Sequence, residues 1–291
     1  MLVHTPKEFS FPLALEFLKR SPRELLHVLN GDAVAKALLA RDEVVVFSVR
    51  AESPDALNIS FRTPPPDEEI KQLVAAYVRD WFDLETDLKP FYRMAGKDKL
   101  LKDLIVRFYG YRIVGQPDLF ESLVWAVLGQ QINLNFAYML KQRFVQAFGE
   151  RTAVADQEYF LFPSPGAVAI ITPEVLLPLQ FSIQKSRYTI GIAEAFADGT
   201  LSKEKLQRLP LQDAKHELMK IKGVGNWTAN YALMKTFHYP EAFPLEDAGL
   251  HNAIRNLTGL SRKPTLAEVA KLFRKYKGWE AYATLYLWKS L

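Results

Sequence analysis

A glycine turn near residue 223 is the part of this sequence best suited to bind an anion. Gly223 and Gly225 lie two residues apart, between helices that the apolar spacing predicts over 211–220 and 226–237. Glycine permits backbone conformations and close approaches that other residues resist. The second helix begins at the turn, so its free N–H groups and positive dipole end would suit a phosphate group. A plain corner between two helices, without a ligand, is the alternative.

A carboxylate downstream of the turn is the candidate for acid–base or electrostatic work. Asp247 follows Pro244 and Glu246 at the start of a predicted helix. A fixed negative charge in a water-poor pocket can stabilise a cationic transition state, and it can also activate a water molecule. The position is equally natural for a helix N-cap, and the two roles are compatible. Glu246 is the nearest rival carboxylate.

Composition narrows the classes of chemistry that these residues could serve. The chain has 291 residues, enough for two domains, and 49% of them are hydrophobic. The absence of cysteine excludes disulfides, thiolate zinc sites, iron–sulfur clusters and cysteine nucleophiles. The five histidines do not form metal-binding pairs. The net charge of +4 weakly favours a polyanionic partner, and residues 211–291 carry an excess of Lys and Arg.

The elements that must position these residues follow from the hydrophobic pattern. Strands are predicted over 44–49, 57–61 and 24–29, and Asp67 is predicted to cap the helix that follows them. Helical spacing then dominates from about residue 100. We therefore predict an α+β chain, with a small α/β domain over 1–100, a mostly helical body over 101–291, and a helix–hairpin–helix at about 211–237.

The turn and its flanks, from Leu218 to Ala229, closely resemble the hairpin of the helix–hairpin–helix DNA glycosylase superfamily. The resemblance extends over about residues 115–291. It implies an N-terminal domain similar to half of the TATA-binding-protein fold, and an enzyme with Asp247 as the catalytic carboxylate. It also implies that the hairpin binds the DNA backbone, through Gly223, Gly225 and Thr228. Three backbone carbonyls would hold a monovalent cation, Na⁺ or K⁺, on Met219, Ile221 and Val224.

The residue after the hairpin bears on the type of reaction. Members of the superfamily that also cut the strand carry a lysine nucleophile at the position that Trp227 occupies here. Tryptophan cannot form a Schiff base. The resemblance therefore implies a monofunctional glycosylase without lyase activity, which would leave an abasic site.

Aromatic residues indicate the substrate. Trp227, Tyr231 and Trp288 match positions that line the base pocket in the alkylbase branch of the superfamily, the 3-methyladenine DNA glycosylase II type. Trp227 and Tyr231 share one helix face, and stacked aromatic faces favour a cationic base such as an N-alkylated purine. Ordinary core packing is the alternative for each of these side chains.

A base inside a duplex must be flipped out before it can be cleaved, and another group fills the gap. The segment Gly129-Gln130-Gln131-Ile132 matches the superfamily loop that supplies this wedge, and Gln131 takes the inserting position. The alkylbase branch often has an apolar residue there, so Gln131 departs from the pattern. A polar loop between helices is the alternative.

The expected function is release of alkylated purines, of the 3-methyladenine and 7-methylguanine type, from damaged duplex DNA. The chemistry needs no cofactor, and we expect a cytoplasmic monomer, since no apolar run or leader suggests a membrane. A glycosylase for oxidised bases such as 8-oxoguanine is the alternative enzyme. A non-catalytic helix–hairpin–helix protein that binds damage is the second alternative. The carboxylate of Asp247 separates the enzymes from the binding protein.

Overall fold

The N-terminal part of the chain is an antiparallel sheet, and the remainder is mostly helical. The computed structural model describes residues 1–64 and 66–291. Its five-stranded sheet has the order β1-β5-β4-β3-β2. The bounds are β1 Leu2–His4, β2 Val28–Asn30, β3 Ala33–Ala40, β4 Glu43–Ser53 and β5 Ala56–Phe61. This architecture confirms the predicted α+β class. The domain boundary near residue 100 stays a prediction.

The strand predicted over 24–29 begins later than expected, at Val28. The cause is local, because the carboxylate of Glu24 accepts hydrogen bonds from the backbone N–H groups of Leu25 and Leu26, both at 3.0 Å. A side chain that accepts hydrogen bonds from neighbouring amides in this way stabilises a turn, and those amides do not pair with a neighbouring strand.

The sequence analysis missed β3, whose alanine-rich sequence does not favour a strand. Tertiary packing explains the strand, because β3 pairs with β4 along its whole length. Ala35 and Ala37 lie under Tyr159 of a second hairpin, formed by β6 Arg151–Val154 and β7 Gln157–Phe160. Small side chains on this face make room for the tyrosine ring.

The helices of the N-terminal part cover the other face of the sheet. They are α1 Phe11–Leu18 and α2 Glu68–Trp81. Asp67 caps α2, as predicted, and accepts the Ile70 N–H at 2.8 Å. No helix among the residues described is long and apolar enough to cross a membrane.

The helical body is built around α5, a helix that is almost completely buried. Its helices are α3 Lys89–Ala95, α4 Lys102–Arg107, α5 Leu119–Gly129, α6 Leu134–Phe148, α7 Pro165–Ala169, α8 Pro173–Leu176, α9 Ile183–Ala197, α10 Lys203–Gln207, α11 Leu211–Met219, α12 Asn226–Phe237, α13 Ala248–Thr258, α14 Leu266–Phe273 and α15 Glu280–Trp288. Helices α6, α9 and α12 all pack on α5.

A buried ion-pair network connects the N-terminal part to the helical body. Lys141 of α6 lies 3.0 Å from Glu24 and 2.9 Å from Glu121. Burial alone would raise the pKa of Glu24, but the charge of Lys141 lowers it to about 2. Both partners stay charged at neutral pH, and the network holds the segment after α1 against α6.

Candidate active site

The hairpin joins α11 to α12, and its two glycines serve different purposes. Gly223 has φ +94°, and a Cβ atom there would lie 2.2 Å from the ring of Tyr188. Only glycine fits beneath that ring. Gly225 has an ordinary φ of −86° and is the N-cap of α12, without a side-chain cap. A Cβ on Gly225 would meet open space, so the first N–H groups of α12 are accessible to an anion.

The other residues predicted at the hairpin differ in accessibility. Met219 is the last residue of α11 and is exposed, whereas the side chain of Val224 is buried. The carbonyl of Ile221 accepts the Val224 N–H at 3.0 Å. Thr228 is buried, and its hydroxyl accepts a hydrogen bond from the Gln130 amide at 3.0 Å. The whole residue is buried, so the predicted contact of Thr228 with DNA stays a prediction.

The predicted wedge loop, between α5 and α6, is fastened to the hairpin. The amide of Gln130 also donates to the Gly223 carbonyl at 3.0 Å. The next residue, Gln131, is exposed and has φ +58°. A left-handed backbone is uncommon for a residue other than glycine, and it indicates that the surroundings enforce this conformation. Gln131 therefore projects from a loop whose base is fixed.

Lys185 of α9 supports the same loop, a role that the sequence analysis did not identify. Its ammonium donates to the carbonyls of Val127, Leu128 and Gln130 at 2.8, 2.9 and 2.7 Å. All three N–H groups are used, on the carboxyl end of α5. Burial lowers the pKa of Lys185 to about 8. A lysine in the first turn of a helix offers no local signal for this contact, which depends on how α9 packs on α5.

Asp247 accepts hydrogen bonds from three sides. Its Oδ1 accepts the Leu250 N–H at 2.7 Å, so it caps α13. The indole N–H of Trp288 also donates to Oδ1, at 2.7 Å, and that of Trp227 donates to Oδ2 at 3.1 Å. The side chain is half-buried. Asp247 therefore caps α13 and also faces a cavity, so its capping role is compatible with the predicted catalytic role.

The cavity beside Asp247 has a volume of about 1340 Å³. The predicted pocket residues Trp227, Tyr231 and Trp288 line it, together with Gln131 at its rim. The rings of Trp227 and Tyr231 stack at 5.4 Å with an interplanar angle of 26°. The structure thus brings together the carboxylate and the aromatic residues, and such a space can hold a flat, electron-poor ring next to a negative charge.

The far end of the cavity is formed by residues that the sequence analysis missed. The indole of Trp125 donates to the Tyr231 hydroxyl at 3.0 Å. Beyond it, Arg20 reaches in from the end of α1, where its guanidinium lies 3.9 Å from the Phe17 ring centre and donates to the Tyr138 hydroxyl. Only the i, i+3 spacing of Phe17 and Arg20 is visible in the sequence, and it does not indicate a pocket.

Two family models match the chain. The HhH-GPD superfamily of base excision DNA repair proteins matches residues 124–278. The N-terminal domain of 8-oxoguanine DNA glycosylase matches residues 31–123. The first match contains the wedge loop, the hairpin and Asp247.

Individual proteins that are similar to this chain in sequence or in structure belong to the same class of DNA repair enzyme. A DNA-3-methyladenine glycosylase of Bacillus subtilis is 39% identical over 100% of this chain and 97% of its own length. The structure of a 3-methyladenine DNA glycosylase from Archaeoglobus fulgidus superposes with a TM-score of 0.85 at 21% identity, over 99% and 97% of the two chains. Schizosaccharomyces pombe Mag1, in complex with abasic DNA, reaches 0.59 at 28% identity, over 67% and 93%. The chain belongs to the HhH-GPD superfamily of base excision DNA repair proteins.

Proposed function

We propose that this protein is a monofunctional DNA glycosylase that releases alkylated purines from duplex DNA and leaves an abasic site. One observation carries the proposal: Asp247 is held by the indoles of Trp227 and Trp288 at the edge of an aromatic cavity. The 39% identical relative from Bacillus subtilis is a DNA-3-methyladenine glycosylase. A binding protein without catalysis would need Asp247 only as the cap of α13, and not beside an aromatic cavity.

The geometry suits a dissociative hydrolysis. The flipped base lies against the faces of Trp227 and Tyr231, which favour the positive charge of an N-alkylated purine. The glycosidic bond breaks with its electron pair moving to the base, and positive charge develops on the deoxyribose. Asp247 stabilises that charge, and a water molecule attacks C1′ and gives its proton to Asp247 or to solvent.

Strand cleavage would need a free amine at C1′. Among the residues described, Lys235 and Lys289 line the cavity, and Lys289 is paired with Glu16 at 2.7 Å. Lys222 precedes the turn and is not among the residues that line the cavity. Lys235 lies eight residues beyond Trp227 on α12, about 12 Å along the helix axis. Its ammonium is buried and donates to the carbonyl of Val114. We therefore expect no lyase activity.

The hairpin would bind the DNA backbone through the open amino end of α12 at Gly225. The carbonyls of Met219, Ile221 and Val224 would hold a monovalent cation beside it. Carbonyl oxygens suit Na⁺ or K⁺, and the Ile221 carbonyl, which accepts one hydrogen bond, retains a second lone pair. An ion held there would supply positive charge that favours a DNA phosphate. One cavity per chain is complete without a second copy, so we propose a monomer.

The test is base release from duplex DNA treated with a methylating agent. We expect the wild-type protein to release 3-methyladenine and 7-methylguanine and to leave intact strands that alkali cleaves. Failure to release either base would contradict the alkylpurine specificity. An 8-oxoguanine duplex, assayed in parallel, tests the alternative enzyme, and a borohydride-trapped adduct would contradict monofunctional chemistry. Binding of alkylated DNA without base release would indicate a damage-binding protein.

A further inference from the structure

The far end of the pocket carries a cation that the mechanism above does not use. Arg20 follows α1, in the N-terminal part of the chain, yet it lines the same cavity as Asp247. Arg20 is exposed, so its guanidinium is accessible both to solvent and to a ligand in the cavity. A flipped base that enters between Trp227 and Trp288 would point its far edge toward this end.

The guanidinium of Arg20 is held in position but only partly paired. It lies 3.9 Å from the ring centre of Phe17 and 6.0 Å from that of Trp125, and its Nε donates to the Tyr138 hydroxyl. Across residues 1–64 and 66–291, no acceptor lies within hydrogen-bonding distance of its two Nη groups. Four N–H bonds are therefore available to a ligand.

No carboxylate of the pocket neutralises this charge by contact. Glu16 pairs with Lys289 at 2.7 Å, and Glu246 accepts from the Asn226 amide at 2.8 Å. Asp247 is occupied by its two indoles and the α13 amide. Because Arg20 is exposed, water can satisfy its free N–H groups until a ligand supplies an acceptor in its place.

We propose that Arg20 determines specificity within the alkylpurine class, by donating to the carbonyl oxygen of a 6-oxopurine such as 7-methylguanine. The inference rests on the proposed function. Arginine commonly donates to guanine O6 and N7, and because N7 is methylated in 7-methylguanine, O6 is the acceptor that remains on that edge. A 6-aminopurine such as 3-methyladenine presents an NH₂ group at the same place, and two donors facing each other cannot bond.

The contact would strengthen as the reaction proceeds. When the glycosidic bond breaks, its electron pair moves onto the purine, and O6 gains negative charge. A donor fixed by Phe17 and Tyr138 stabilises that charge without rearrangement. Arg20 therefore acts on the leaving group, while Asp247 acts on the sugar.

The test compares two bases released by one protein preparation from one methylated DNA sample. In Arg20→Met, single-turnover release of 7-methylguanine should fall roughly ten- to hundredfold, as expected for loss of a charged hydrogen bond. Release of 3-methyladenine should change by less than about threefold, which also shows that the variant is folded. Lys19→Met is the matched control, because it removes the preceding, exposed cation outside the cavity. Both rates should then equal those of the wild type.

Several results would overturn the proposal. Equal losses for both bases would assign Arg20 a structural role, and unchanged rates would mean that it does not contact the base. Weaker binding to undamaged duplex, with a smaller salt dependence, would place it on a phosphate. Arg20→Gln retains one donor and should give an intermediate ratio, which keeps the test valid if the methionine variant is unstable. If the wild type releases neither base, the proposed function itself fails.

Discussion

The two walls of the pocket are built in different ways. The catalytic wall, formed by Trp227, Tyr231, Asp247 and Trp288, comes entirely from α12 to α15. The opposite wall, formed by Arg20, Trp125, Gln130 and Gln131, combines the end of α1 with the α5–α6 region. In the proposed mechanism, the first wall would face the sugar and the charge at C1′, and the second would face the far edge of the base and supply the wedge.

The difference shows which contacts a linear sequence can reveal. Within the catalytic wall, the i, i+4 spacing of Trp227 and Tyr231 and the N-cap position of Asp247 follow from local rules. The opposite wall depends on contacts between distant segments. Arg20 and Tyr138 are 118 residues apart, and Lys185 and Gln130 are 55 apart. We therefore expect substitutions in the two walls to affect different steps.

The largest loss of base release is expected for a substitution in the catalytic wall. Asp247→Asn removes the negative charge but retains an oxygen that can accept the Leu250 N–H. We expect single-turnover base release to fall by about 10²–10³-fold, with little change in DNA affinity. Asp67→Asn is the matched control, because Asp67 caps α2 in the same way, far from the cavity. Activity near the wild-type level in Asp247→Asn would assign the chemistry to another carboxylate, first of all Glu246.

Trp288→Phe tests how the carboxylate is held. The substitution removes the indole donor to Oδ1, which lies at 2.7 Å, and keeps an aromatic face. We expect a ten- to hundredfold loss of the base-release rate, because one charge-assisted hydrogen bond is lost and the carboxylate can rotate. DNA affinity should change little. A loss of affinity as large as the loss of rate would show that Trp288 mainly binds DNA.

On the opposite wall, Lys185→Met should act through the wedge loop. It leaves the carbonyls of Val127, Leu128 and Gln130 without their donor. We expect roughly a tenfold loss of base release, because Gln131 is held less firmly during flipping. A duplex with the lesion in a mismatch, which flips more easily, should recover part of the rate. No recovery would argue against a role in flipping.

Lys185 should also make base release depend on pH. Burial lowers the pKa of Lys185 to about 8 from its ordinary 10.5. As pH rises through 8, the ammonium becomes an amine with one donor fewer, so base release should decline, and Lys185→Met should lack this decline. The free energy of unfolding should instead rise with pH over this range, because the unfolded chain binds more protons than the folded chain between pH 8 and 10.5. A decline that persists in the variant would assign it to another group.

The smallest effect on chemistry is expected at the hairpin. Gly223→Ala should lower the free energy of unfolding by about 2–4 kcal/mol, through its positive φ and the collision with Tyr188. Gly225→Ala should change stability by less than about 0.5 kcal/mol. It should weaken DNA binding several-fold, because a methyl group would cover the amino end of α12. Thermal unfolding and binding to undamaged duplex measure the two effects, and equal destabilisation by both substitutions would contradict this assignment.

The sequence was informative where a residue's role depends on its neighbours in the chain. The helix capped by Asp67, the helix pair around the hairpin and the position of Asp247 at the start of a helix all depend on local chemistry. Strand β3 was missed because its alanines become a strand only against β4 and Tyr159. Arg20 and Lys185 were missed because nothing near them in the sequence indicates which segment they contact.

The buried contacts of Lys141 with Glu24 and Glu121 have a practical consequence. The sheet and the helical body each possess a separate hydrophobic core, but neither contains a complete pocket. A chain cleaved between them would yield two halves that lack activity individually, and base release would report their reassociation. Base release would therefore serve as a split reporter of how the two halves dock, and the buried Lys141–Glu24 pair is one of the contacts on which that docking depends.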